Sequence, residues 1–289
     1  MQLTTFSIDG VTRLGLVVGE RIVDIARHIE SAPLEMSALI SDWAKLRSRL
    51  EELAGKEGEY AIREVTVQAP LPRVGKIFAI GLNYADHCAE AQFAVPTEQT
   101  WFSKAATSLN GPFAPIELPA VSEQLDYECE MVAVIGKRCR NVPPERASEV
   151  IFGYAVGNDV SVRDWQLRTT QWVLGKSFDT HAPVGPWITT ADSVDPHSLD
   201  IRCLVNGEVR QHSNTKNLIF NVFAQVACLT KAVTLEPGDL LFTGTCGGVG
   251  AAFKPPRWLQ VGDRVRVEIE KLGAIENVVQ AGSARTWIE

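Results

Sequence analysis

No two of the six cysteines, at positions 88, 129, 139, 203, 228 and 246, stand close enough in sequence to make a CxxC pair. Neither a thiolate zinc site nor a disulfide framework is therefore written into the chain. Neutral or buried thiols in a reducing, cytoplasmic setting are the expectation. Basic charge is also short. The 28 Lys and Arg face 35 Asp and Glu, a formal net charge of −7, which excludes a nucleic-acid binder held by phosphate attraction. No apolar run approaches the roughly 20 residues that span a bilayer, so no membrane association is expected. The opening MQLTTFSIDG has neither the basic nor the apolar stretch of a signal peptide. Internal repeats and low-complexity tracts are absent. What remains is 289 residues, 45% hydrophobic and 22% charged, enough for a large core and about two domains at roughly 150 residues each.

Residues 1 to about 25 read as a small antiparallel meander, with short apolar runs around the Gly19-Glu20 turn. Leu39, Trp43, Leu46, Leu50 and Leu53 recur at helical spacing and predict a helix over 37–54. Pro70 and Pro72 resist helix and central strand alike, which places a boundary near residue 70. Beyond it, apolar runs such as 77–80, 131–135, 201–205, 240–242 and 264–269 alternate with Gly and Pro turns. Helices are expected only at about 84–92, 161–170 and 217–232. The fold class is α+β and β-dominated: a small N-terminal domain over 1–70 and a larger one over 71–289.

The sharpest local feature is Asp126-Tyr127-Glu128-Cys129-Glu130, leading into an apolar strand. Residues two apart on a strand share a face, so Glu128 and Glu130 project together and Cys129 points the other way, into the core. Like charges that close need solvent, a basic partner or a cation. Asp159, in Gly157-Asn158-Asp159-Val160, is either a turn residue or a third acid. Three converging carboxylates would suit a hard cation, Mg²⁺, Mn²⁺ or Ca²⁺, rather than zinc. Ser161 and Asp164 read as a capping pair for the helix that follows, and Arg163 and Gln166 then share a face fit to grip a carboxylate. His87 and Glu90 stand at i,i+3, either as a surface pair or as a carboxylate-tuned imidazole. Lys176 lies in a loop crowded with turn formers. The glycines of Thr243-Gly244-Thr245-Cys246-Gly247-Gly248-Val249-Gly250 let a backbone approach a ligand and offer N–H groups to an anion. That segment is neither a Walker A motif nor a dinucleotide fingerprint.

Taken in order, Asn83-Tyr84-x-x-His87-x-x-Glu90, Asp126-Tyr127-Glu128-x-Glu130, Gly157-Asn158-Asp159-Val160-Ser161-x-Arg163-Asp164-x-Gln166, Gly175-Lys176-Ser177-Phe178-Asp179 and Thr243-Gly244-Thr245 with Gly248-Val249-Gly250 resemble the fumarylacetoacetate hydrolase family. The resemblance covers residues about 70 to 270, with Phe102-x-Lys104 and Ser108-Leu109 in support.

The resemblance implies a mixed β-sandwich roll with a small N-terminal domain, a homodimer, and Mg²⁺ or Mn²⁺ on Glu128, Glu130 and Asp159. It implies a water-activating dyad of His87 and Glu90, charge stabilisation by Lys176, and substrate contacts from Arg163, Gln166 and Thr245. The activity implied is hydrolysis of a C–C bond in an acylpyruvate-like or 2,4-diketo acid, with an enolate leaving group held by the metal. The same scaffold serves an oxaloacetate-type decarboxylase or a hydroxymuconate-type isomerase, and a non-catalytic metal-binding module is the remaining alternative. One departure stands out: Cys246 follows Thr-Gly-Thr where proline is common, which frees the backbone and is expected to place a thiol near the site.

Overall fold

The computed structural model describes residues 1–90 and 94–288. Its largest sheet runs through Tyr60–Ala61, Arg21–Asp24, Val11–Val18, Gln2–Ile8, Ala182–Thr190, Ile151–Asn158, Cys129–Ile135, Leu240–Phe242, Ile77–Gly81 and Thr100–Lys104. A second, five-stranded sheet orders Glu208–Asn214, Asp200–Val205, Arg264–Ile269, Gly273–Ala281 and Ile116–Leu118.

The strand Cys129–Ile135 is wholly buried and explains how the layers stack. Its odd residues, Cys129, Met131, Ala133 and Ile135, enter a core shared with Ile201, Cys203, Val267 and Ile275 of the second sheet. The even residues Val132 and Val134 enter another core, with Leu39, Leu46 and Leu50 of the N-terminal helices. A strand covered on both faces reads as a continuous apolar run, which is what residues 131–135 show. The result is the β-dominated α+β sandwich expected from the motifs.

The N-terminal meander forms as read, but it does not stand apart. Gln2–Ile8 pairs antiparallel with Ala182–Thr190, so residues 1–70 extend the main sheet and share a core with it.

Three helix expectations need correction. The helix over 37–54 is two, Met36–Ser41 and Trp43–Leu53, broken at Asp42. The one over 217–232 begins only at Val222, where the Asn221 side chain accepts from the Ala224 N–H; Leu218 instead bridges to Tyr84. The one over 161–170 is a strand, Ser161–Val162, followed by a single turn, Arg163–Gln166. The helix expected at 84–92 appears as Ala85–Glu90, and residues 91–92 lie outside the described residues. Among the described residues no helix is long and apolar enough to cross a membrane.

Candidate active site

Glu128 and Glu130 emerge on one face at the start of the strand Cys129–Ile135, as alternation requires. Asp159 follows the neighbouring strand, and its N–H donates to the Glu128 carbonyl at 2.9 Å, which fixes the third acid beside the pair. One carboxylate oxygen from each of the three lies within 4.8 Å of the others.

All three acids are buried, and two lysines reach them. Lys176 Nζ donates to Glu128 Oε2 at 2.8 Å and to Asp159 Oδ2 at 2.7 Å. Lys104 Nζ donates to Asp159 Oδ1 at 2.6 Å. Lys176 sits on a one-turn helix, Val173–Lys176, and not in an open loop. Gly175 permits that placement: a Cβ there would stand 2.2 Å from the Gln166 backbone nitrogen.

The electrostatics of the cluster are lopsided. Burial alone would raise the Glu128 carboxyl, but Lys176 and Arg163 outweigh it and drive the pKa down to about 2. Burial and the charges of Asp159 and Glu128 push Glu130 well above the ordinary carboxylate range. Burial opposes the Lys176 charge, yet Asp159 and Glu128 hold it above its usual value. With all four ionised, the carboxylates of Asp126, Glu128, Glu130 and Asp159 would outnumber the cations Lys104, Arg163 and Lys176 by one negative charge. A divalent cation would convert that to one positive charge, the complement of a single substrate carboxylate. Three hard oxygen donors with one unrelieved carboxylate fit Mg²⁺ or Mn²⁺.

Glu130→Gln is therefore expected to raise the stability of the metal-free protein while abolishing its stabilisation by Mn²⁺. Thermal melts with and without the ion check this, and a variant that still gains wild-type stability from Mn²⁺ would remove Glu130 from the ligand set. The pH dependence follows from the same shifts. With Glu130 raised, the folded state keeps a proton that the unfolded chain gives up. That contribution is complete below the usual carboxylate range and is lost as pH rises through the raised value. Glu128, held down, contributes above the usual range and loses that contribution as pH falls toward 2. The metal-free protein should thus weaken as pH rises above the carboxylate range, and the gain from Mn²⁺ should grow over the same interval.

Arg163 is the most constrained of the expected substrate contacts. Its Nε donates to Asp126 Oδ2 at 2.9 Å, while Nη1 lies 2.8 Å from Gln166 Oε1 and 2.7 Å from Glu128 Oε1. Nη2 is buried with no partner, although Arg163 lines the cavity in front of the acids. Gln166 spends its carbonyl on Arg163 and presents its amide to the same cavity. The expected capping by Ser161 is absent: its hydroxyl donates to the Asp159 carbonyl, and Asp164 accepts from Ser122. The strand Ser161–Val162 pairs instead with Leu125–Asp126, and that pairing carries Asp126 to Arg163.

Thr245 lines the cavity, but its hydroxyl donates to the Cys129 carbonyl and accepts from Gln211. Its proton is committed to the protein, so any substrate contact falls to the remaining lone pair or the methyl. The Cys246 thiol is not in the cavity lining. It is buried against Cys129, Sγ to Sγ 3.7 Å.

His87 and Glu90 stand at the cavity wall, with His87 Nδ1 3.6 Å from Glu90 Oε2. This is ion-pair range, slightly longer than a hydrogen bond, as is common before substrate tightens such a pair. Burial raises the Glu90 carboxyl, but His87 and the Gly248 N–H together bring it below its usual value.

The glycine-rich loop offers its N–H groups to anions as expected, but the anions are the protein's own. Gly244 donates to Glu130, Gly248 to Glu90, and Gly250 to Asp126. At Gly244, φ is +100° and a Cβ would meet Asn83 at 2.6 Å, so only glycine holds that donor in place. The loop thus positions three carboxylates of the site at once.

Two working residues were not assigned roles from sequence, Lys104 and Asp126. Both lay within quoted motifs, and that was their only signal.

Comparison with known proteins agrees with this geometry. Residues 76–280 match the fumarylacetoacetate (FAA) hydrolase C-terminal family. The chain is 42% identical over 273 residues to the mitochondrial oxaloacetate tautomerase fahd2 of Xenopus laevis, covering 92% of this chain and 86% of that protein. Maleylpyruvate hydrolase from Sphingobium sp. SYK-6, solved with manganese(II) and pyruvate, superposes with a TM-score of 0.84 at 35% identity, over 98% of this chain and 100% of that one. Fumarylacetoacetate hydrolase from Exiguobacterium antarcticum gives 0.85 at 35% identity, with the same coverage. With the motifs in their expected places around one acid cluster, this chain belongs to the fumarylacetoacetate hydrolase family.

Proposed function

We propose that this chain is a divalent-metal-dependent hydrolase that cleaves the C–C bond of an acylpyruvate-like 2,4-diketo acid. The observation that carries this reading is the cavity, roughly 560 Å³, with Glu128, Arg163 and Lys176 in its wall together with His87 and Glu90. A divalent cation on Glu128, Glu130 and Asp159 would supply Lewis acidity toward the 2-oxo and carboxylate oxygens of the substrate.

The rest falls to side chains. Arg163 and Gln166, both in the cavity wall, bind the substrate carboxylate. His87, with Glu90 behind it, takes a proton from water as the water oxygen attacks the distal carbonyl. An ammonium has three donors. Lys176 spends two on Glu128 and Asp159, and the third serves the oxygen that gains charge. The C–C bond then breaks, its electron pair passes into the pyruvyl enolate, and the proton taken from water is returned to that carbon. The products are a carboxylic acid and pyruvate.

A second reading, keto–enol tautomerisation of oxaloacetate, draws on the similarity to the Xenopus tautomerase. It needs the same grip on the 2-oxo acid and proton transfer, but no attack by water. Turnover of acetylpyruvate, oxaloacetate and a hydroxymuconate analogue by the Mn²⁺-loaded protein separates the two. Activity on oxaloacetate alone would replace the hydrolase reading with the second.

Arg163→Lys is expected to lower kcat/KM by about 1.5–3 kcal/mol, the range for hydrogen bonds to charged groups. A lysine offers one point of charge where the guanidinium serves Asp126, Glu128, Gln166 and the substrate together. The loss should fall mainly in KM if the contact is equal in ground and transition states. A change below about twofold, the scale of an exposed ion pair, would remove Arg163 from substrate binding.

A further inference from the structure

Gln211 lies outside the cavity wall, yet its side chain joins the strand that carries Glu130 to the loop that holds the Glu130 carboxylate. The residue belongs to the strand Glu208–Asn214 of the second sheet and is fully buried. Its Oε1 accepts from the Cys129 N–H at 2.9 Å. Its Nε2 donates to Thr245 Oγ1 and to the Cys246 carbonyl, both at 2.8 Å, so both amide protons are in use.

The register explains why an amide is needed there. Cys129–Ile135 and Leu240–Phe242 pair antiparallel, with Val132 opposite Phe242, and the Thr243 N–H still reaches the Met131 carbonyl. Continued to its next hydrogen-bonded pair, this register would set Cys129 opposite Thr245 and join their backbones twice. Gly244, at φ +100°, turns the chain out of that path, and side chains make the bonds instead. The Thr245 hydroxyl serves the Cys129 carbonyl at 3.0 Å. The Gln211 amide, with the donor and acceptor of a peptide group, serves the Cys129 N–H.

A bulge aims that amide. Cys203 pairs with Gln211 but Leu204 pairs with Val209, so Arg210 is extra, and such bulges redirect side chains. The Arg210 carbonyl lies 1.9 Å from where a Cβ on Gly248 would stand, so the same strand also packs tightly on the later part of the loop.

We propose that Gln211 is a positioning residue for the metal centre, holding the backbone on either side of Glu130 in one register. The role rests on Glu128, Glu130 and Asp159 holding a metal, and is independent of the reaction that follows. Cys129 stands between Glu128 and Glu130, and Thr245 follows Gly244, whose N–H holds Glu130 Oε2 at 2.7 Å. Without the amide, the buried Cys129 N–H and Cys246 carbonyl lose their partners, and relief requires the strand end or the loop to move. Either shift moves a group next to Glu130.

The test is titration calorimetry with Mn²⁺, beside the EPR spectrum of the bound ion, on the full chain well below its melting temperature. Gln211→Met is close in size but lacks both hydrogen-bonding groups. It should bind Mn²⁺ about 10-fold or more weakly, the scale for groups that orient metal ligands, and alter the spectrum at saturation. Val267→Ala, which opens a cavity in the same core, should lower the melting temperature and leave both readouts unchanged, which separates positioning from stability alone. If Gln211→Met does not fold, Gln211→Asn takes its place. It keeps the amide but is a methylene too short to span Cys129 and Cys246, and the same loss is expected. Affinity within about twofold of wild type, with an unchanged spectrum, overturns the role of Gln211. A wild-type chain that takes up no Mn²⁺ overturns the metal reading and this role with it. If the expected loss is seen but no acylpyruvate is cleaved, the hydrolase reading falls and Gln211 keeps its role.

Discussion

His87→Ala should lower kcat for acylpyruvate hydrolysis by about 10²–10⁴, the range for loss of a positioned general base, and leave Mn²⁺ affinity within about twofold. The separation follows from geometry. His87 has Glu90 as its ion-pair neighbour, at 3.6 Å, whereas the three clustered acids are held by Lys104, Lys176, Arg163 and the Gly244 N–H. Removing the imidazole therefore takes away the acceptor for water's proton without touching the groups that set metal affinity. Titration calorimetry with Mn²⁺ beside steady-state kinetics reads both halves. A variant with wild-type kcat would end the general-base assignment. Tautomerase activity surviving while hydrolysis is lost would locate the histidine at the water step.

Asp159→Asn should cost about 3–5 kcal/mol of folding stability, the penalty for breaking a buried ion pair from one side, and should also abolish metal binding. Asp159 is fully buried and accepts a hydrogen bond from each of two buried lysines, one on each carboxylate oxygen. An asparagine there keeps one acceptor oxygen for two lysines, removes the negative charge both face, and sets an NH₂ donor against one of them. Adding Lys104→Met should recover part of the loss, because removing both members of a buried pair costs less than removing one. Urea unfolding of the single and double variants, without metal, decides the point. If Asp159→Asn unfolds at the wild-type midpoint, the ion pairs do not support the fold and the predicted coupling between the metal site and stability is wrong.

Lys104 is also where reading the sequence reached its limit. Asp159 lies 55 residues away from it in the chain, and no local pattern announces that the strand Thr100–Lys104 ends beneath the acid cluster. The same holds for Asp126, whose partners Arg163 and Gly250 are 37 and 124 residues away.

Local alternation of side chains was enough to place Glu128 and Glu130 on one face and Cys129 on the other, because a strand has period two whatever packs around it. Apolar runs bounded by glycine and proline located the strands, and the ordered motifs located the family. The tertiary structure decided what those motifs touch. Ser161–Val162 became a strand because Leu125–Asp126 lies alongside it, although its own sequence reads as a helix start. Cys246 turned into the core because Cys129 and Gln211 meet it there. The glycine loop spent its donors on Glu130, Glu90 and Asp126 because the fold carries those acids to it. Periodicity and turn chemistry are short-range and can be read along a chain. The pairing of a buried charge depends on which distant segment the sheets bring within hydrogen-bond distance, and only the folded chain determines that.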